Sequence, residues 1–336
     1  IESNWWGTTD LTQIKAKILD CEDNPLLPCV DVNPFLNGPN GSPVSPVVPI
    51  VYGQTVISAL ASPAAIDHYS FSAQTGDKIE IPFRAVDSYY IVPRVEIYNA
   101  QNVKLAEAVS PEQKLSFPVS QPGTYTVRIS DAAGASGDYE FTLIKKNNPA
   151  AAVPLVYGQS IDVRRYFVTQ MDAFKFTALA GDKVFIPWAD TTSPYFGLPG
   201  LGNLKFVLYD SSFNSVAEFN TNTGTNPFTV TVPADGTYYV WTEDLNASLM
   251  YWRTYSYQLT LERRNTPADV TAVNFGQTLT PSLTNQTEQD VYSFTAQAGD
   301  KIVLPYIYFN GAGWILRIEI FRASDFTKVT EKIDAN

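Results

Sequence analysis

Gly53-Gln54, Asp67-His68-Tyr69-Ser70-Phe71, Gly76-Asp77-Lys78 and Pro82-Phe83 are the landmarks that decide the fold, because they return twice more. They recur at Gly158, Asp172 to Phe176, Gly181 to Lys183 and Pro187-Trp188, then at Gly276, Asp290 to Phe294, Gly299 to Lys301 and Pro305-Tyr306. The first glycine and the Gly-Asp-Lys glycine are 23 residues apart in every copy. A fixed spacing in triplicate marks one small domain copied in tandem. A residue shared by all copies is then explained first by the fold, and a residue found in one copy is free to be specific. No catalytic constellation stands out against the repeat.

Working outward, hydrophobic residues alternate with period 2 in Val95 and Ile97, in Phe206 and Leu208, and in Ile318 and Ile320, so one face of each strand is buried. Gly123-Thr124-Tyr125-Thr126-Val127 and Gly236-Thr237-Tyr238-Tyr239-Val240 open a further strand, and Asp138 to Leu143 and Tyr255 to Leu261 close the domain. Many short strands between turn residues predict an all-β chain of tandem antiparallel β-sandwiches. The expected boundaries are 50–148, 149–267 and 268–336, with shorter joints at Lys146-Asn147-Asn148-Pro149 and Arg264-Asn265-Thr266-Pro267. The third copy reaches Asn336 without a Gly-Thr-Tyr or closing strand, so either the natural chain continues or another chain supplies those strands.

The 336 residues are 45% hydrophobic and 13% aromatic, enough for a core in each domain. Asp and Glu number 34 against 23 Lys and Arg, a net charge of −11 with no local basic cluster, which argues against nucleic-acid binding. No apolar run approaches the roughly 20 residues of a membrane helix, so membrane insertion is not expected. The chain starts at Ile1 without Met, as a processed product or a fragment does. Sparse Lys, Thr/Asn/Tyr-rich β repeats and only two cysteines favour a secreted or cell-surface location. Cys21 and Cys29 lie close together in a loop-rich stretch, as a local disulfide or as two buried thiols.

Residues 1–36 differ from the repeats. Asn4-Trp5-Trp6-Gly7-Thr8-Thr9-Asp10 leads into a short helix expected over 10–19, with Leu11, Ile14 and Ile18 on one face and Asp10 and Gln13 spaced as a capping box. Pro25, Pro28 and Pro34 punctuate an extended segment ending at Phe35-Leu36. This Asn-Trp-Trp-Gly-Thr-x-Asp opening, short helix and Asn-Pro-Phe-Leu ending resemble the C-terminal closure of pectin-lyase-like right-handed parallel β-helices. The resemblance covers about a tenth of the chain and places any solenoid, with its polysaccharide-cleaving chemistry, upstream of Ile1. Residues 37–49, rich in Gly, Asn and Pro, read as a linker.

From about residue 50 onward, the Asp-x-Tyr-x-Phe, Gly-Asp-Lys, Gly-Thr-Tyr-x-Val and closing Tyr-x-x-x-Leu strands resemble the bacterial pre-peptidase C-terminal domain family. The resemblance implies jelly-roll-like sandwiches attached to secreted enzymes and surface proteins, with calcium or polymer binding in some relatives.

Asp67, Asp172 and Asp290 occupy one repeated position and are candidate calcium ligands, since carboxylates suit a hard cation; the competing reading is turn capping. Turn capping is preferred for Asp77, Asp182 and Asp300. His68 is the only histidine, its counterparts are Ala173 and Val291, and it reads as a strand residue without an acid-base role. Tyr195, Phe196, Tyr251 and Trp252 belong to stretches unique to the second copy and suit stacking on a sugar or packing at a contact. Trp188, matched by Phe83 and Tyr306, reads as core.

The preferred expectation is a non-catalytic region for adhesion, spacing or substrate attachment, partnered by a polysaccharide, a cell-surface polymer or copies of itself. The alternatives are a subunit of an extracellular filament or sheath assembled by strand complementation, and an accessory carbohydrate-binding region of a β-helix polysaccharide enzyme. No cofactor is expected beyond calcium.

Overall fold

The computed structural model describes residues 4–8, 11–19, 35–36, 43–44, 46–86, 91–149, 151–191, 204–221, 228–244, 255–306 and 316–334. The architecture is all-β, with antiparallel sheets arranged as tandem sandwiches. The chain divides into two compact units, whereas the sequence carries three repeats. The first unit holds the described residues up to Pro149 together with Phe167–Gln170; the second holds the rest of the second repeat and the third.

In the first unit, one sheet runs in the order Val47–Pro49, Asp67–Ala73, Gly123–Asp131, Pro93–Tyr98 and Lys104–Val109. The facing sheet contains Thr55–Leu60, Gly137–Thr142, Lys78–Ala85 and Ile144–Lys145, with Lys114–Pro118 also paired to Lys78–Ala85. The Gly-Thr-Tyr strand is central: Tyr125 sits opposite Phe71, and Val127 between Tyr69 and Ile97. Alternation along these strands sends Tyr69, Phe71, Val95, Ile97, Tyr125 and Val127 into one core.

Val47–Pro49, the end of the expected linker, forms a parallel edge strand on Asp67–Ala73. An edge is where proline is tolerated, because its missing N–H leaves no ladder bond unmade. Ahead of it, Phe35–Leu36 pairs antiparallel with Pro43–Val44. The helix is shorter than expected, Leu11–Lys15, with Ile14 fully buried against Trp6, Leu11 and Ile18. Asp10 of the expected cap, Cys21 and Cys29 lie outside the described residues.

The second repeat follows the same plan, in the order Val153–Pro154, Asp172–Ala178, Gly236–Asp244, Leu204–Tyr209 and Ser215–Asn220. Pro187 divides the counterpart of Lys78–Ala85 into Lys183–Ile186 and Trp188–Asp190, which pair in different sheets. Trp188 packs against the core while staying half-exposed, its ring 6.2 Å from Phe206.

The third repeat begins in the same way, with Thr271–Ala272 parallel to Tyr292–Ser293 and Leu316–Phe321 antiparallel to Lys328–Asp334. Among its described residues no strand stands where Gly123–Asp131 and Gly236–Asp244 stand in the other repeats. The edge-on pair Tyr52–Phe71 (6.2 Å) recurs as Tyr157–Phe176 (6.2 Å) and Phe275–Phe294 (6.1 Å). Phe71 and Phe176 are then covered by the stacked rings of Tyr125 and Tyr238. Phe294, with no such ring in the described residues, is 39% exposed against 3% for Phe71 and 4% for Phe176.

Candidate functional site

The repeated aspartates of the Asp-x-aromatic strand do not come together; each serves its own repeat. Tyr139, on the closing strand, donates its hydroxyl to Asp67, and the Tyr69 hydroxyl lies 2.5 Å from that of Tyr139. Burial raises the Asp67 pKa against the opposing hydrogen bonds from Tyr139 and Ser58. In the second repeat Tyr257 donates to Asp172 at 2.9 Å and Thr242 donates at 3.2 Å. The fully buried Arg165 approaches the same carboxylate at 3.5 Å, at the position of Leu60 in the first repeat. Asp290 accepts from Tyr292 at 3.2 Å. Among the described residues no group of three His, Cys, Asp or Glu side chains is arranged to hold a metal ion. What the geometry gives Asp67 and Asp172 is a half-buried tie between the first sheet and the closing strand.

The Gly-Asp-Lys turns have one geometry in triplicate. Asp77, Asp182 and Asp300 accept from the amides of Gln74, Leu179 and Gln297 at 2.9, 2.9 and 2.8 Å. The joints hold the first two of these turns in place, which the sequence did not reveal. Asn147 accepts from the Lys78 amide at 2.7 Å and donates to the Gly76 carbonyl, and Asn265 does the same for Lys183 and Gly181.

A second repeated device lies on the outer face of the closing strand. Thr169 donates to Glu140 Oε1 from both its amide (2.7 Å) and its hydroxyl (2.8 Å), and its hydroxyl also meets that of Thr142. Thr142 in turn meets Thr55, and Arg84 holds the other Glu140 oxygen at 3.0 Å. One repeat on, Thr287 bonds Thr260 at 2.6 Å and Gln258 Oε1 at 3.2 Å, while Thr260 meets Ser160. Thr169 and Thr287 each lie 11 residues after their turn glycine, where the first repeat has Ala64. Glu140, Thr142, Thr169, Thr260 and Thr287 are buried, so these hydroxyls are satisfied by one another instead of by water.

His68 is half-buried and sits opposite Arg128 in the strand register. Burial, then the Arg128 charge, lower its pKa, which favours the neutral ring. Tyr195, Phe196, Tyr251 and Trp252 lie outside the described residues.

The cavity of interest belongs to the second unit. It measures about 180 Å³ and is lined by carboxylates from both sides of the second joint, Glu262, Asp269, Glu288 and Asp290, with Gly158 and Tyr292. Burial first, then the charge of Asp269, push the Glu262 carboxyl up to about 7, with Arg264 opposing. Setting the copies against one another position by position would have found Glu262, Asp269 and Glu288, because none of the three is part of the repeated pattern.

No family model matches the chain, and no curated protein matches it. Among solved structures it is similar to the pre-peptidase C-terminal domain of a collagenase from Bacillus anthracis, with 16% identity, 29% of this chain and 93% of that one covered, and a TM-score of 0.26. It is also similar to PliG, a periplasmic inhibitor of g-type lysozyme from Aeromonas hydrophila, with 8% identity, 29% and 95% coverage and a TM-score of 0.24. The CUB1-EGF-CUB2 region of human MASP-1/3 matches with 9% identity, 61% and 99% coverage and a TM-score of 0.18. At these TM-scores nothing about ligand or activity transfers. No helix among the described residues is long and apolar enough to cross a membrane.

Proposed function

We propose that this chain is a non-catalytic region of a secreted or cell-surface protein, in which the end of a β-helix precedes tandem sandwich modules of the pre-peptidase C-terminal type that serve adhesion, spacing or substrate attachment. The observation that supports this reading is the use made of the repeated polar residues. Asp67 and Tyr139, Asp172 and Tyr257, and the aspartates of all three turns are engaged in tying strands and turns. A shared residue occupied in this way is explained without chemistry on a substrate. The test is incubation of the purified chain with panels of polysaccharides and peptides, and with insoluble polymers. Retention on a polymer without product release is the expected result; hydrolysis that copurifies with the chain overturns the reading.

A second reading, a filament or sheath subunit completed by strand exchange, is favoured by one specific feature. Phe294 presents to solvent the face that a Gly-Thr-Tyr tyrosine covers in the other repeats, and Phe275, Ile302 and Leu304 are also exposed. A Gly-Thr-Tyr strand, donated by another copy or supplied further along the same protein, would bury these side chains and satisfy the ladder groups of Tyr292–Ser293 and Leu316–Phe321. Light scattering across a concentration series tests it. Growth of the mass with concentration supports strand exchange, and a constant monomer mass contradicts it.

A further inference from the structure

The second joint differs from the first in its carboxylates. Strand register places Ile144 opposite Glu80 and Glu262 opposite Phe185, and Glu80 and Phe185 each lie 27 residues after their turn glycine. Ile144 and Glu262 therefore occupy the same position. Seven residues before the next turn glycine, Ala151 of the first joint corresponds to Asp269 of the second; 12 residues after that glycine, Gln170 corresponds to Glu288. The sandwich plan does without all three acids in one joint and brings them to one cavity in the other.

Glu262 is 6% exposed, and among the described residues no hydrogen bond or ion pair reaches its carboxylate. Arg264, two residues on, is engaged elsewhere: it pairs with Glu319 at 3.0 Å and lies 3.6 Å over the ring of Phe185. Two of the other acids are held by hydrogen bonds. Glu288 accepts from the amide and hydroxyl of Thr284 at 2.5 and 2.6 Å, and Asp290 accepts from Tyr292. Asp269 comes up to the turn glycine Gly158, where a Cβ would stand 3.3 Å from its Oδ2. Among the described residues no Lys or Arg lines the cavity.

We propose that this cavity is a binding site for a guanidinium group, the side chain of an arginine presented by a partner polypeptide. A buried carboxylate without a partner is costly, and a cation relieves that cost. A metal ion does not match the arrangement, because no three acidic side chains among the described residues converge on one point. A guanidinium spreads five donors over a rigid plane and so reaches acceptors that stand apart, and its weaker hydration eases entry into a half-closed space. The cavity's 180 Å³ is ample for such a group, yet below the ~300–1,000 Å³ of pockets that enclose whole small molecules. The raised pKa of Glu262 agrees, with a proton held where a cation would otherwise sit.

The test is titration of the full chain at pH 8 with N-acetyl-argininamide, and in parallel with N-acetyl-lysinamide and calcium chloride, read by calorimetry and by the carboxyl carbon shift of Glu262. The expected result is saturable binding of the arginine probe at millimolar concentration, about tenfold tighter than the lysine probe and about tenfold weaker in Glu262→Ile and in Asp269→Ala. Binding weakens below pH 7, where a proton competes at Glu262; Asp269, Glu288, Asp290, Arg264 and Tyr292 are the other titratable or charged groups near it. Asp269 is exposed, so Asp269→Ala keeps the test sound even where Glu262→Ile misfolds. No saturation up to about 100 mM, equal affinity for both amides, displacement of arginine by calcium, or unchanged affinity in both variants overturns the proposal. Polymer retention that survives Asp269→Ala while arginine binding is lost separates this site from the modular role proposed above.

Discussion

The first and second repeats share a strand plan and differ in how they treat buried charge. In the first repeat Glu80 is buried between Lys114 at 2.8 Å and Lys146 at 2.7 Å, and Glu140 is held by Arg84. In the second repeat Phe185 replaces Glu80, and Arg264, the counterpart of Lys146, lies over that ring and pairs with Glu319 of the third repeat. The buried acid of this region is now Glu262, which no ion pair holds among the described residues and on which the charge of Arg264 only partly opposes burial. Strand positions and turn caps are fixed by the plan, whereas charges on the same scaffold are exchanged freely. The positions where the copies disagree are therefore where specific binding is to be sought.

The largest effect expected from breaking this comparison is at the repeated aspartate. Asp172→Ala removes the carboxylate partner of the fully buried Arg165, and loss of about 3–5 kcal/mol is expected. Asp67→Ala, which removes a partner of neutral hydroxyls in a repeat that has Leu60 at the arginine's position, costs about 1–3 kcal/mol. Urea unfolding followed by hydrogen exchange in each unit measures both, and equal losses would remove the distinction between the repeats.

The two buried glutamates give pH dependences of opposite sign. Burial raises the Glu80 pKa, but Lys146 and Lys114 outweigh it and hold the carboxyl below its usual range. Its stabilisation is present above the unfolded pKa and is lost as pH falls through the folded one. Glu262, pushed up to about 7, keeps its proton in the folded chain after the unfolded chain has released it. Its region therefore loses stability as pH rises from about 4.5 to about 7. Exchange protection in the second unit should fall over that window, and Glu262→Ile, which installs the residue of the first joint, should abolish the fall and add about 1–3 kcal/mol at pH 8.

The smallest effect sharpens what the repeats share. Thr169→Val and Thr287→Val each remove a hydroxyl from a buried chain, and each should cost about 0.5–1.5 kcal/mol. The former also leaves Glu140 one donor short, so it should be the more damaging of the pair. Thermal melts of the two variants decide the order.

Much of this was legible in the residues themselves. The triplicate spacing disclosed the sandwiches, and the turn aspartates cap as their position dictates, because a Gly-Asp turn offers a free amide three residues back. Val47–Pro49 looked like linker because proline argues against a central strand, although it permits an edge. The joint asparagines and the threonines at 169 and 287 were illegible for another reason: their partners lie on turns and closing strands distant in sequence, and only register brings them together. Reading for what the copies share also hid the acid pocket, because Glu262, Asp269 and Glu288 are residues the copies do not share.

The most direct measurement is a carboxyl-carbon NMR titration of Glu262 and Glu80 in the intact chain. The expected result is a midpoint near 7 for Glu262 and one below the ordinary glutamate range for Glu80. Two ordinary midpoints near about 4.3 would contradict the account, since neither acid would then feel the burial and the pairing that separate the two repeats.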